Sequence, residues 1–345
     1  MPKIRKLGLE IGTLIPGPKN CITDVEGVKV GHVTLDYAAE PIDSGDYACT
    51  GVTAILPHSG NLFREKLVAA SYVINGFGKT AGLVQIDELG LIESPIMLTN
   101  TLSAPEAQAA GIEYMLEQAD EITSINVVTG ECNDSKLNSI RRRFVTKAHA
   151  REALTCASEA TCEEGAIGAG KGMVCFGYKG GIGCSSRLVP YQDGEFSLGI
   201  LTLTNFGRPE EFKYAHWGSG TASDKEHLSD GSIMIIMATD APLSDRQLKR
   251  VSKRCAIGLG RTGGNWGHGS GDIVIAFSTA RKISHAPGGL TESIAGLRED
   301  DEGFNKLFQA AAEATEEAIL NSLAQAETTT GHKGNTIYKF DWKSL

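Results

Sequence analysis

The sequence predicts an α+β chain in which helices pack outside two stacked, mainly antiparallel β-sheets. Three observations carry this reading. Short apolar runs come in pairs, and helical stretches follow them on both sides of one compositional break. Glycine is in excess, at 41 of 345 residues, against a usual share of about 7%. Sheets and helices that are each apolar on one side must be stacked as layers, and glycines that cluster without a repeat mark tight turns and close backbone approaches.

Taken in chain order, residues 20–34 alternate apolar and polar around Gly27, as a hairpin does. Gly51–Pro57 is a short buried strand, and residues 61–74 lead into Asn75-Gly-Phe-Gly-Lys79, a loop signal. Ile96–Thr99 is a strand entered through Pro95, and residues 104–119 have helical spacing with Pro105 in the first turn. Ile125–Val128 is a strand, and a helix is expected over roughly 135–157. Residues 165–189 look like hairpins with a turn at Lys179-Gly180-Gly181. Phe196–Thr204 is a strand ending at Asn205, and Pro209 to Gly231 reads as a long exposed polar loop. The nearly continuous apolar run Ser232–Ala238 is a strand buried on both faces. A helix over 244–257 with Ser244 as N-cap, a buried strand Ile273–Phe277 and a long amphipathic helix over 303–326 complete the chain.

Charge and cysteine usage exclude several function classes. Lys and Arg number 33 against 42 Asp and Glu, a net charge of -9, which suits neither nucleic acid nor an anionic membrane. The one basic run, Arg141-Arg142-Arg143 with Lys147 and Arg151, reads as a solvated helix face. No apolar run is long enough to span a bilayer, and the N-terminus does not read as a signal peptide. The cysteines at 21, 49, 132, 156, 162, 175, 184 and 255 form no CxxC, and the histidines show no H-x-x-x-H spacing. Structural zinc, a disulfide framework and a catalytic metal are therefore not expected, and reduced thiols in the cytoplasm are. The Gly165–Gly172 loop lacks the G-x-x-x-x-G-K-[ST] pattern of a nucleotide cradle.

Four constellations carry chemistry. Gly231-Ser232 places a small nucleophile at the first position of a buried strand, behind a polar loop. An N-terminal-nucleophile hydrolase needs this arrangement: the hydroxyl attacks its own preceding carbonyl in an N→O acyl shift, hydrolysis of that ester leaves Ser232 as a new N-terminus, and its α-amine, with an unperturbed pKa of about 7.7–8.0, can serve as general base. The same residues also compose an ordinary turn. Ser270 and Asp272 lie two apart at the start of a strand and so share a face, as a proton relay or as caps for turn amides. His268 beside them has no G-x-S-x-G elbow to serve. Asn205, at a strand end, offers an amide to an oxyanion or closes an Asx-turn. Thr129-Gly-Glu131-Cys-Asn133-Asp134 offers a carboxylate to a substrate ammonium or caps the next helix.

Together, Asn20–His32, Thr50–Pro57, Asn75–Lys79, Glu88–Gly90 through Pro95–Leu102, Gly130–Asp134, Gly165–Arg187, Gly231–Leu243, Gly258–Gly264 and Ser270–Thr279 resemble the L-aminopeptidase/D-amidase-esterase family, which includes the β-peptidyl aminopeptidases. The resemblance covers nearly the whole chain. It implies a four-layer α/β/β/α sandwich of the aminopeptidase/ornithine acetyltransferase type, made as one chain that cuts itself between Gly231 and Ser232 into fragments 1–231 and 232–345. It further implies Ser232 as nucleophile, Asn205 as oxyanion amide, Ser270 as supporting hydroxyl with Asp272 two residues on, and Glu131 as anchor of the substrate's free amine. Asp272 stands where the β-peptidyl members carry glutamate, and Asn133 stands by the substrate where members often carry tyrosine.

The expected protein is thus a cofactor-free serine aminopeptidase or amidase acting on small peptides or amino-acid amides. It is expected as a homo-oligomer of processed heterodimers. An acyltransferase of the same architecture and a scaffold that never cleaves are the rival expectations.

Overall fold

The computed structural model describes residues 2–191, 194–223, 231–286, 288–299 and 302–343. Its principal strands are β1 (Lys29–Ala38), β2 (Tyr47–Leu56), β3 (Glu65–Gly76), β4 (Leu91–Ile92), β5 (Ile96–Asn100), β6 (Val128–Cys132), β7 (Ile182–Tyr191), β8 (Gly194–Asn205), β9 (Ser232–Thr239) and β10 (Gly271–Ser284). Its helices are α1 (Leu83–Leu89), α2 (Ala104–Leu116), α3 (Lys147–Thr155), α4 (Asp245–Ser252), α5 (Cys255–Thr262) and α6 (Glu302–Ala324).

The strands form two sheets, one ordered β1-β2-β5-β6 and the other β4-β3-β10-β9-β8-β7. Pairing is antiparallel except for β5 with β6 and β9 with β10. Helices α2 and α3 pack their alanines on the outer face of the first sheet, through Ala107, Ala110, Ala150 and Ala153. Helices α4, α5 and α6 cover the outer face of the second. Between the sheets lies a third apolar layer containing Ile55, Leu98, Val128, Leu201, Met234 and Ile275. The chain is a four-layer α/β/β/α sandwich. Strand β9 is buried along its whole length because it lies inside the second sheet, with a core on each face, which accounts for its continuous apolar run.

Several expectations are corrected. Residues 20–34 are not a hairpin: a 3-10 turn at Ile22–Asp24 and a left-handed Gly27 lead into β1. The strand expected at Ile125–Val128 begins only at Val128 and runs through Glu131. The helix expected over 135–157 is real only at Lys147–Thr155. Arg143 adopts a left-handed backbone after a 3-10 turn at Ile140–Arg142, which ends any helix there. The tight turn proposed at Lys179–Gly181 lies earlier, at Phe176-Gly177, between two-residue strands at Val174–Cys175 and Tyr178–Lys179. The helix over 244–257 is broken at Lys253-Arg254 into α4 and α5, with Ser244 capping the first as expected. The loop from Pro209 is not wholly exposed. Phe212 is buried against Phe176 and Phe340, and Gly218-Ser219 pair with Asp341-Trp342. Residues 224–230 of that loop lie outside the described residues.

The basic run is a solvated face. Arg142 pairs with Asp46 at 3.1 Å and Arg143 with Glu106 at 2.7 Å, and Lys147 and Arg151 meet Glu113 and Glu117. The cysteines are free thiols, with Cys156 exposed and the others buried. Among the described residues, no helix is long and apolar enough to cross a membrane.

Candidate active site

Strand register sets the neighbours of Ser232. As the first residue of β9 it lies opposite Asn205, the last residue of β8, and on its other side opposite Gly271, the first residue of β10. The amide of Gly271 donates to the Gly231 carbonyl oxygen and to Ser232 Oγ, each at 3.2 Å. One backbone donor therefore addresses both the carbonyl ahead of Ser232 and the hydroxyl closest to it in sequence.

Gly231 has to lack a side chain. A Cβ there would fall inside the Asn205 carbonyl oxygen and stand 2.6 Å from Phe206 Cα. Gly271 is constrained in the same way, because a Cβ would stand 2.8 Å from Gly78 Cα. That close approach brings the Asn75–Lys79 loop against the start of β10.

Ser270 and Asp272 flank Gly271. Ser270 Oγ donates to Asp272 Oδ1 at 2.8 Å. Burial pushes the Asp272 carboxyl up to about 6, and the Ser270 hydrogen bond holds back part of that rise. The second carboxylate oxygen of Asp272 is buried and, among the described residues, lacks a hydrogen bond of good geometry. His268 turns its ring toward Phe77, with centroids 6.5 Å apart, and lends only its backbone carbonyl to Asn75. Among the described residues it bonds neither Ser232 nor Asp272, and these three form no Ser-His-Asp triad.

Asn205 is fixed by both ends of its amide. Oδ1 accepts from the Val174 amide at 2.9 Å, and Nδ2 donates to the Asn133 carbonyl at 3.0 Å. An amide nitrogen carries two hydrogens, so the second donor is left for a further acceptor. The Asn133 side chain accepts from the Ser135 amide at 2.9 Å and shapes the turn.

Glu131 comes from the other sheet. It is buried within β6, and Oε1 accepts from the Lys79 amide at 2.9 Å while Oε2 accepts from the Thr101 hydroxyl. Strand β6 packs directly against β9: a Cβ on Gly130 would stand 2.6 Å from Met234 Cε. Ser232, Gly271, the Lys79 loop, Glu131, Asn133 and Asn205 therefore form one closed circuit of contacts across the two sheets. A cavity of about 190 Å³ opens beside Gly231 and Ser270, with Phe206, Glu211 and Trp266 in its wall. Glu131 and Asn133 do not line it.

Reasoning from the sequence missed three groups. Asn75 Nδ2 donates to the Ser270 carbonyl and, at 3.0 Å, to that of Gly267, tying down the turn that carries Ser270. The Lys79 amide and the Thr101 hydroxyl hold Glu131. The loop signal at Asn75–Lys79 was visible, but its partners are nearly 200 residues away in sequence for Asn75 and meet it only through the β3/β10 pairing. Asp134, fully buried beside Asn133, is pushed up to about 7 by burial and braces Asn138 at 2.9 Å.

The model of peptidase family S58 matches residues 20–337. The beta-peptidyl aminopeptidase BapA of Sphingosinicella microcystinivorans is 38% identical over 363 aligned positions, covering 100% of this chain and 91% of the relative. The solved beta-aminopeptidase of a Burkholderia species superposes with a TM-score of 0.88 at 34% identity, covering 98% and 95% of the two chains. The L-aminopeptidase D-Ala-esterase/amidase of Ochrobactrum anthropi, described as a serine aminopeptidase with a variant Ntn hydrolase fold, superposes with a TM-score of 0.91 at 33% identity, covering 99% and 96%.

Proposed function

The chain belongs to peptidase family S58, and from that premise we propose that it matures by cutting itself between Gly231 and Ser232 and then releases N-terminal amino acids through an acyl-enzyme. It is a hydrolase of the aminopeptidase and amidase class. The observation that carries the self-processing reading is the single Gly271 amide bonded to both the Gly231 carbonyl and Ser232 Oγ. In the cut, Ser232 Oγ bonds to the Gly231 carbonyl carbon while the Gly271 N–H supports the developing oxyanion. The C–N bond breaks, its nitrogen takes the proton, and an ester remains. Water then cleaves the ester into a Gly231 carboxylate and the Ser232 hydroxyl, the α-amine having been freed when the C–N bond broke.

The fragments stay together because the cut leaves them interlocked. Strand β9 of fragment 232–345 is paired with β8 of fragment 1–231, and β10 is paired with β3. The mature unit is a heterodimer held by one continuous sheet.

In turnover, Ser232 Oγ attacks the first amide or ester carbonyl of a substrate with a free amine. Asn205 donates its second N–H to the tetrahedral oxyanion. The Ser270–Asp272 pair takes the proton, and Glu131 holds the substrate ammonium, which measures one residue from the N-terminus. Asn205→Ala is expected to lower kcat by about 10²–10³ with KM little changed, the usual loss for one oxyanion donor. A variant with unchanged kcat would remove Asn205 from that role.

The substrate test uses amino-acid p-nitroanilides with free and acetylated amines. Wild type is expected to hydrolyse only the free-amine compounds, and Glu131→Gln to raise KM for them by about tenfold or more, the loss of a charge-assisted bond of roughly 1.5–3 kcal/mol. Equal hydrolysis of both compounds by wild type would contradict the aminopeptidase reading.

The proton route has its own signature. The folded pKa of Asp272 is raised from 3.8 to about 6 by burial, so its carboxyl is protonated below about pH 6. Its contribution to stability is full below pH 3.8 and is lost as pH rises through 6. Catalysis needs the opposite form, so kcat/KM is expected to rise with pH through about 6, and Asp272→Asn to abolish that limb. A limb near pH 8 that survives in Asp272→Asn would give the proton to the Ser232 α-amine instead.

A further inference from the structure

Away from the active site, the fold gathers three cysteines that are remote in sequence. Cys21 precedes the 3-10 turn Ile22–Asp24 ahead of β1, Cys162 lies in the segment after α3, and Cys184 is on β7. All three are buried, and their sulfurs lie within 4.8 Å of one another. Sulfurs bound to one tetrahedral ion at about 2.3 Å are separated by roughly 3.8 Å, so the triangle needs little contraction to share a metal.

A fourth donor stands outside that group and meets it at Cys162, so it completes the set by moving inward. His32 on β1 places Nε2 3.2 Å from Cys162 Sγ, while its Nδ1 meets Thr53 Oγ1 at 2.9 Å. Thr53 is itself fixed by the Ala169 amide at 3.1 Å. Metal-bound histidines use this arrangement, in which the far nitrogen is held by a neighbouring group so that the near one faces the ion. The Cys162 amide donates to Cys21 Sγ at 3.4 Å, a bond that strengthens when the sulfur is a thiolate. Lys3 reaches the Cys184 carbonyl at 3.3 Å and sets a cation, paired with Glu164, beside a site that three thiolates and a dication would leave at one negative charge.

We propose that Cys21, Cys162, Cys184 and His32 form a zinc site of the Cys3His type, which clamps the first sheet to the second at one edge of the sandwich. Binding deprotonates the three thiols, releases their protons to solvent and forms three Zn–S bonds and one Zn–N bond. The clamp has a geometric rationale, because β1 and β7 are edge strands of different sheets and no strand pairing joins them. Access is provided by a cavity of about 1190 Å³ whose wall includes Cys162, Lys3 and Glu164. A closed set of four protein ligands suits a structural ion rather than a catalytic one. The absence of CxxC and H-x-x-x-H spacing, which argued against zinc in the sequence, does not bear on a site assembled from four separate segments.

The test uses the full-length protein, stripped of metal under reducing conditions and titrated with cobalt(II) and then zinc(II). The expected result is one cobalt per chain with thiolate-to-cobalt charge-transfer absorption and tetrahedral d–d bands, both displaced by zinc, and one zinc per chain in protein purified without chelator. Cys162→Ser and Cys184→Ser are expected to lose the bands, and Cys156→Ser, at the exposed cysteine, to keep them. If the buried variants do not fold, the wild-type cobalt spectrum decides alone. Cobalt that stays octahedral, binding that survives in folded Cys162→Ser, or a disulfide among the three cysteines in freshly purified protein would overturn the proposal.

Discussion

Replacing Ser232 by alanine is expected to leave one uncut chain of 36.6 kDa with no peptidase activity, a loss of about a million-fold in kcat, as for other serine hydrolases stripped of the nucleophile. The fold should persist. The Oγ accepts one hydrogen bond, from the Gly271 amide, and that same amide also donates to the Gly231 carbonyl. The buried donor therefore keeps a partner when the hydroxyl is removed, and the change in stability should stay within about 1 kcal/mol. Circular dichroism and thermal unfolding give the fold, and intact mass and p-nitroanilide hydrolysis give the chemistry. A cut chain, or activity near the wild-type rate, would remove Ser232 from both reactions.

The second large effect is at the other side of the same bond. Gly231→Ala puts a methyl group into the Asn205 carbonyl oxygen and against Phe206 Cα, both of them backbone atoms with no rotamer to escape by. Either residue 231 or the end of β8 has to move. The carbonyl then leaves its place on the Gly271 amide, and misplacement of a reacting group by about 1 Å costs roughly 100-fold in rate. The variant is expected to process at least about 100-fold more slowly and to lose about 1–3 kcal/mol of stability by overpacking. Quantifying the uncut chain over time after expression measures this directly. Processing at the wild-type rate would mean that the carbonyl position seen here does not govern the cut.

Much of this site was legible in the sequence, for reasons that differ from residue to residue. Ser232 is marked by its place at the first position of an apolar run that reads as a strand buried on both faces, a pattern an ordinary turn shares, and the family resemblance is what singles it out as nucleophile. Ser270 and Asp272 were tied together by the two-residue period of a strand, and their hydrogen bond follows from that period. Asn205 was found as a strand end, but its place beside Ser232 depends on β8 pairing with β9 in one register, which a single sequence does not encode locally. Glu131 was located and its element misplaced. The apolar run Ile125–Val128 drew the strand too early, whereas the backbone pairs with β5 only from Val128 onward.

The larger misses share a cause. The helix expected over 135–157 shrank to Lys147–Thr155 because Arg143 turns into the left-handed region and the preceding segment folds back onto β2, with the Ser139 amide on the Tyr47 carbonyl at 2.9 Å. Tertiary contact overrode local propensity there. The cysteine and histidine cluster was invisible for a similar reason, since spacing rules detect ligands carried on one hairpin or helix and these four come from separate segments.

The most direct test of the account is the covalent state of the active enzyme. N-terminal sequencing and intact mass of freshly matured, active protein should give two fragments, the smaller beginning at Ser232 and carrying β9, β10 and α6. A single unbroken polypeptide that hydrolyses amino-acid amides at full rate would contradict it.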